Sequence, residues 1–145
     1  MSDFFYSSPG AEGYHEGMKI TPVLLVDQIE KSLPFWVERM GFARTVEVPD
    51  GDRLGFVILS RNNAEVMLQT IESVRKDEPK FAPRGDSAAA SIFVEVDDFE
   101  DTLRRLEGYP IAMAPRDTFY GMREIGVFEP GGHIIVFAAW LKKSS

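Results

Sequence analysis

The sequence predicts an α+β fold in which two tandem strand–helix–three-strand modules follow one another, and three observations predict it. The chain matches itself at a fixed displacement: Val26, Asp27, Glu30 and Leu33 recur seventy positions later as Val96, Asp97, Glu100 and Leu103. Thr21, Ile29 and Ser32 recur conservatively as Ser91, Phe99 and Thr102. Each copy opens with an apolar strand followed by one helical stripe. Only two helical patterns serve eight strand patterns, whereas a parallel doubly wound sheet needs a helix after nearly every strand.

In the first module, residues 19–70, Ile20 to Val26 is strand-like. Ile29, Leu33, Trp36, Val37 and Met40 form a helical stripe that Gly41 ends. Pro34 fits the first turn of that helix if Ser32 is its N-cap, because an N–H there has no intrahelical partner to lose. Strands are expected at Ala43–Val48, Leu54–Ser60 after the turn Pro49-Asp50-Gly51-Asp52, and Ala64–Thr70 after Asn62-Asn63.

The second module, residues 89–141, repeats the plan. Ala89–Val96 is a strand, and Asp98 caps a helix that runs through Glu107 and stops at Gly108. Strands follow at Ile111–Ala114, Met122–Glu129 and His133–Leu141, the last two divided by the turn Pro130-Gly131-Gly132. Between the modules, residues 71–88 mix charges with Pro79, Pro83 and Gly85. They read as a linker, either a solvated connection or a lid with Phe81 as its apolar tip. Residues 1–18 read as a flexible arm without secretory-signal features. Met18 stands as a second potential start, and Phe4, Phe5 and Tyr6 are candidate anchors on a neighbouring subunit.

Composition narrows the function. Sixteen Lys and Arg against 23 Asp and Glu give a net charge of -7, so no basic surplus exists for a nucleic acid backbone. The absence of Cys removes disulfides, thiolate metal sites and cysteine nucleophiles, and suits a reducing compartment, here expected to be the cytoplasm. No apolar run approaches the roughly 18 residues of a membrane span. Neither His15 nor His133 has a nucleophile nearby in the pattern, and Gly131-Gly132 is a turn with no helix behind it to cradle a phosphate.

Strand alternation then sorts the side chains. Leu24 with Val26, and Ile92 with Val96, form apolar sets suited to packing on helices. Thr21, Val23 and Leu25, like Ser91, Phe93 and Glu95, are left on a mixed face. Glu65, Met67 and Gln69 fall on the mixed face of their strand, and a half-apolar, half-polar concavity is the usual composition of a small-molecule site. Phe56, Phe93, Tyr120 and Trp140 are the aromatic candidates to line it. Glu65 is read as a cation-binding carboxylate, a general base, or the partner of Arg123 in a structural ion pair.

The order Asp27-Gln28-Ile29-Glu30-Lys31-Ser32-Leu33-Pro34-Phe35-Trp36, Met40-Gly41-Phe42 and Glu65-Val66-Met67-Leu68 resembles the vicinal oxygen chelate superfamily. That group includes glyoxalase I, bleomycin-resistance proteins and extradiol dioxygenases. The second half, Phe93-Val94-Glu95-Val96-Asp97-Asp98, Tyr120-Gly121-Met122-Arg123-Glu124 and Phe128-Glu129-Pro130-Gly131-Gly132-His133, is similar to the bleomycin-resistance branch. The resemblance covers residues 19–141. It implies two βαβββ modules whose sheets form a cup, paired protomers, and a ligand site that borrows residues from the partner.

Enzymes of this superfamily hold a divalent metal with one position from the first and last strands of each module. Carried onto this chain, those positions are Thr21, Glu65, Ser91 and Val136, of which Glu65 alone is a credible ligand. His133 reads as a turn or strand-edge residue. The expectation is a metal-free, cofactor-free homodimer that sequesters a hydrophobic or cationic small molecule such as an antibiotic. Its expected contacts are Thr21, Phe56, Glu65, Met67, Ser91, Phe93, Tyr120, Arg123 and Trp140. Two alternatives stand beside it: a lyase, isomerase or dioxygenase using Glu65 as base or in an atypical metal shell, and a protein-interaction module.

Overall fold

Alternation of buried and open side chains is realised in the computed structural model, which describes residue 17 and residues 19–83 and 89–142. The expectations for Phe4, Phe5, Tyr6 and the rest of the arm, and for residues 84–88 of the linker, lie outside the described residues. The strands are β1 (Val23–Val26), β2 (Ala43–Asp50), β3 (Arg53–Arg61), β4 (Ala64–Thr70), β5 (Ser91–Glu95), β6 (Ile111–Asp117), β7 (Met122–Phe128) and β8 (Ile134–Trp140). They form two four-stranded sheets of one plan, β1-β4-β3-β2 and β5-β8-β7-β6. In each, the first strand pairs parallel with the last and the remaining pairs are antiparallel.

Several expected boundaries move. β1 starts at Val23 and not Ile20. β2 runs through Pro49 and Asp50 because Gly51 takes a positive φ of 66° and turns the chain in two residues, so Pro49-Asp50 belongs to the strand and not to the turn. β6 continues past Ala114 to Asp117, with register shifts against β7. The expected linker opens with a helix, α1 (Ile71–Asp77), whose N-cap Thr70 accepts from Ser73 N, and a 3₁₀ turn, Pro79–Phe81, follows it.

The first module's helix also differs from expectation. A 3₁₀ turn (Ile29–Lys31) leads into a π-helical segment, Pro34–Arg39, in which Met40 N donates to Phe35 O. Ser32 does not cap it; the serine is fully buried, and its Oγ has no hydrogen-bond partner among the described residues. The wider turn lets the consecutive residues Phe35 and Trp36 both enter the core, edge to face at 5.1 Å. In the second module α2 (Phe99–Arg105) starts as expected, with Asp98 accepting from Asp101 N at 3.0 Å.

The helix-facing sides of both sheets share one core, from Leu24, Val26, Val57 and Leu68 to Ile125, Val127, Ile135 and Phe137. The β7–β8 turn locks the modules together. Glu129, 1% exposed, accepts from the Trp36 indole at 3.0 Å and from Gly131 N. Gly131 lies so close to β1 that a Cβ there would sit 2.4 Å from Val26 Cγ1.

His133 sits between the β7–β8 turn and the start of β8, the strand-edge position expected of it, and there it forms a buried bridge. Its Nδ1 accepts from Ala90 N at 2.9 Å, which makes Nε2 the protonated nitrogen that donates to Leu25 O at 2.8 Å. On the helix side the modules exchange a reciprocal contact: Arg39 Nη1 donates to Arg105 O, and Arg105 Nη1 donates to Arg39 O, each at 3.2 Å.

Candidate functional site

Each sheet has one face in the core and one turned away from it, and the second faces carry most of the candidate residues. In the first sheet Phe56, Ile58 and Ser60 lie beside Gln69, Met67 and Glu65, while Val57, Leu59, Val66 and Leu68 between them are core. Val23 lies beside Met67, and Thr21 Oγ1 donates to Glu65 Oε1 at 3.3 Å. In the second sheet Ser91 lies beside Ile134, Phe93 beside Val136, and Trp140 beside Met122. Thr21, Phe56, Glu65 and Met67 are thus gathered on one sheet face, and Ser91, Phe93 and Trp140 on the other.

Glu65 is not an open carboxylate. Lys19 Nζ stands 3.1 Å from its Oε1, and Ser60 Oγ donates to Oε2 at 3.4 Å. The chain leading into β1 brings Lys19 and Thr21, two residues apart, to the same carboxylate.

Arg123 is not its partner. Arg123 alternates with the core residues Ile125 and Val127, so it turns to the helix side of the sheet, where its Nε lies 2.7 Å from Asp117 Oδ1. The guanidinium beside Asp117 holds that carboxyl below the usual aspartate range. The Glu65–Arg123 ion pair, one of the three readings of Glu65, is therefore replaced by Lys19–Glu65 and Arg123–Asp117.

A second cluster, absent from the sequence expectations, lies on β6 and β7. Glu124, 2% exposed, alternates with Met122 and Gly126 on the open face of β7 and lies beside Arg116 and Ala138. Arg116 Nη2 lies 3.3 Å from Glu124 Oε1, and the Tyr120 hydroxyl donates to Glu124 Oε2. The hydrogen bond to this carboxylate is the largest cause that pushes the Tyr120 phenol above its ordinary pKa, so Tyr120 stays a neutral donor. Glu124 was legible by parity, since it falls out of step with Ile125 and Val127. Lys19 and Arg116 carried no local signal, because long flexible cations on open backbone are usually solvated.

The donor set does not fit a divalent metal. Register shows that Glu65 and Val136 are not equivalent: Val136 stands beside Phe93, and the counterpart beside Val23 is Met67, whereas Glu65 corresponds to Ile134 beside Ser91. Either symmetric quartet offers two hydroxyls and at most one carboxylate, and that carboxylate already holds an ammonium. Among the described residues no three His, Asp or Glu side chains gather in a metal-binding group.

What the two faces do share is exposed apolar surface. Val23, Val48, Phe93, Phe128 and Trp140 are 46–61% exposed. Phe119 and Tyr120 add an edge-to-face aromatic pair at 5.2 Å where the chain enters β7. Single exposed apolar residues are ordinary; here two, Val23 and Val48, belong to the first sheet and three, Phe93, Phe128 and Trp140, to the second. No described helix is long and apolar enough to cross a membrane.

Residues 19–137 match the family model described as the Glyoxalase/Bleomycin resistance protein/Dioxygenase superfamily. No functionally curated protein matches the chain closely enough to count as a relative. Among solved structures, a glyoxalase/bleomycin resistance protein/dioxygenase from Nocardioides is 18% identical, with 99% of this chain and 95% of that one covered and a TM-score of 0.67. The bleomycin-binding protein of Streptomyces verticillus, complexed with copper(II)-bleomycin, is 19% identical over 88% of this chain and 98% of its own, with a TM-score of 0.58. Lactoylglutathione lyase from Agrobacterium tumefaciens is 15% identical over 85% of this chain and 94% of its own, with a TM-score of 0.67. At these identities the likeness is one of fold.

Proposed function

The chain belongs to the Glyoxalase/Bleomycin resistance protein/Dioxygenase superfamily, and from that premise we propose that it binds an aromatic small molecule without a metal, on sheet faces that a second copy of the chain completes. The observation that carries the reading is the state of Glu65. The one carboxylate among the carried-over metal positions is engaged by Lys19, Thr21 and Ser60, so what the faces offer a guest is mainly aromatic and aliphatic surface. Phe93 and Trp140 supply flat walls, and the Tyr120–Glu124–Arg116 cluster supplies the polar contacts that orient a guest. This is the bleomycin-resistance style of function, sequestration in place of turnover, and the cationic preference expected of Glu65 is dropped because Lys19 neutralises it.

The homodimer is part of the same proposal. The open faces place Val23, Val48, Phe93, Phe128 and Trp140 in solvent, and a partner copy that covers them encloses the guest between protomers.

The enzyme reading draws on one observation, the Tyr120 hydroxyl held against a buried carboxylate, an arrangement that can pass a proton. Arg116 neutralises that carboxylate and the phenol is pushed up, both of which suit orientation better than proton abstraction.

Native mass spectrometry with bleomycin as the probe, metal-free and copper-loaded, tests the proposal. A dimer that retains the organic mass from either form supports it, and a monomer that retains neither overturns it. The small aromatic probe 8-anilinonaphthalene-1-sulfonate, displaced by the true guest, extends the test if bleomycin itself is too large.

A further inference from the structure

We propose a second binding site, at the outer edge of β5 and away from the open sheet faces, that takes a small planar nitrogen cation of the amidinium or imidazolium type. The internal duplication creates two junctions, each where the hairpin turn of one module meets the first strand of the other. Ser60 beside Glu65 corresponds to Phe128 beside Ile134, so Ala64 stands where His133 stands in the second module.

At one junction the His133 imidazole fills the space and bridges Leu25 O and Ala90 N. At the other, Ala64 presents only a methyl group, and a cavity of about 330 Å³ remains, with Phe42, Val94 and Phe137 among its apolar lining and Glu95 and Asp98 among its polar lining. The chain itself thus shows what kind of group the vacant junction accommodates: a flat nitrogen ring that donates to a strand-edge carbonyl.

The matching carbonyl is present. Leu25 corresponds to Glu95 in the repeat. Ile134 N donates to Ala90 O and Val96 N donates to Ala138 O, so even-numbered residues turn their main chain toward β8. Glu95 then turns its carbonyl off the outer edge, as Leu25 does where His133 meets it.

Charge decides the sign of the guest. Arg61, the cation of the lining, is already engaged: its Nη1 donates to Met40 O at 3.1 Å and its Nη2 lies 3.8 Å from Asp101. Glu95, Asp97 and Asp98 leave the lining negative. A neutral ring gains the apolar contacts and the carbonyl bond, and a cation gains the carboxylates as well.

The test is a two-dimensional ¹H–¹⁵N NMR titration of the full chain with benzamidine, with neutral benzamide as the isosteric control. The expected result is saturable shifts at Asn63, Ala64 and Glu95–Asp98, about tenfold weaker with benzamide and about tenfold weaker in Ala64→His, which supplies the missing imidazole. Absent shifts, equal response to benzamide, an unchanged response in Ala64→His, or shifts confined to Phe93 and Trp140 would each overturn it. Where Ala64→His lowers the melting temperature, Ala64→Leu fills the same space and carries the same expected loss.

Discussion

Lys19 Nζ and Glu65 Oε1 stand 3.1 Å apart, with side chains 36% and 15% exposed, so the carboxylate that the family resemblance offered as a metal ligand is held by the chain's own ammonium. A half-open pair of this kind contributes about 0.2–1 kcal/mol, which shapes selectivity more than stability. Lys19→Met is expected to leave the melting temperature within a few degrees and to raise affinity for a cationic guest several-fold. Glu65→Gln is expected to leave affinity for a neutral aromatic guest within about twofold. Parallel titrations by tryptophan fluorescence in a Trp36→Phe background, which leaves Trp140 as the reporter, check both, and a large loss on Glu65→Gln contradicts the assignment.

Glu124→Gln removes the charge that holds Tyr120 and Arg116 in place. Guest affinity is expected to fall by about tenfold, the cost of losing one charge-assisted contact, and the Tyr120 ionisation to return toward the ordinary tyrosine value. Ultraviolet titration of the phenols in the variant and the parent measures the shift directly.

The β7–β8 turn is a structural lock between the modules. Glu129→Ala leaves the buried Trp36 indole N–H without its acceptor and is expected to cost about 1–3 kcal/mol. Gly131→Ala drives a methyl into Val26 and is expected to cost about 1–3 kcal/mol, with part recovered in the double variant Gly131→Ala, Val26→Ala. Urea unfolding of the set tests the lock, and additive losses in the double variant contradict it.

Stability is expected to fall at both ends of the pH range. The hydrogen bond from Arg105 lowers the Asp101 pKa, and that from Arg123 lowers Asp117. Their contribution is present above the ordinary aspartate range and lost as pH drops through the depressed values. Tyr109 is raised by burial and Tyr120 by its bond to Glu124, so their contribution is present below the ordinary tyrosine pKa and lost as pH rises through the raised values. Urea midpoints across the range, repeated for Asp101→Asn with a flatter acid limb expected, give the check.

The duplication and the strand faces were legible because they are local: parity put Phe56, Glu65, Met67 and Phe93 on open faces, and the repeat announced two modules. Contacts between modules were not legible. Nothing near His133 in the sequence points to Leu25, and nothing near Trp36 points to Glu129, because these partners meet only when the modules dock. The π-turn was missed for a related reason: burying Phe35 and Trp36 together is a tertiary demand that overrides the helical period. Arg123 lies in step with Ile125 and Val127, a parity that puts it on the helix side with Asp117 and that the Glu65–Arg123 alternative left unused.

The most direct measurement is elemental analysis of the purified protein after dialysis, joined to calorimetric titration with zinc, nickel and manganese ions. The account predicts no stoichiometric metal and no saturable heat for the parent protein. One equivalent of a divalent metal retained per chain, lost on Glu65→Gln, would contradict it.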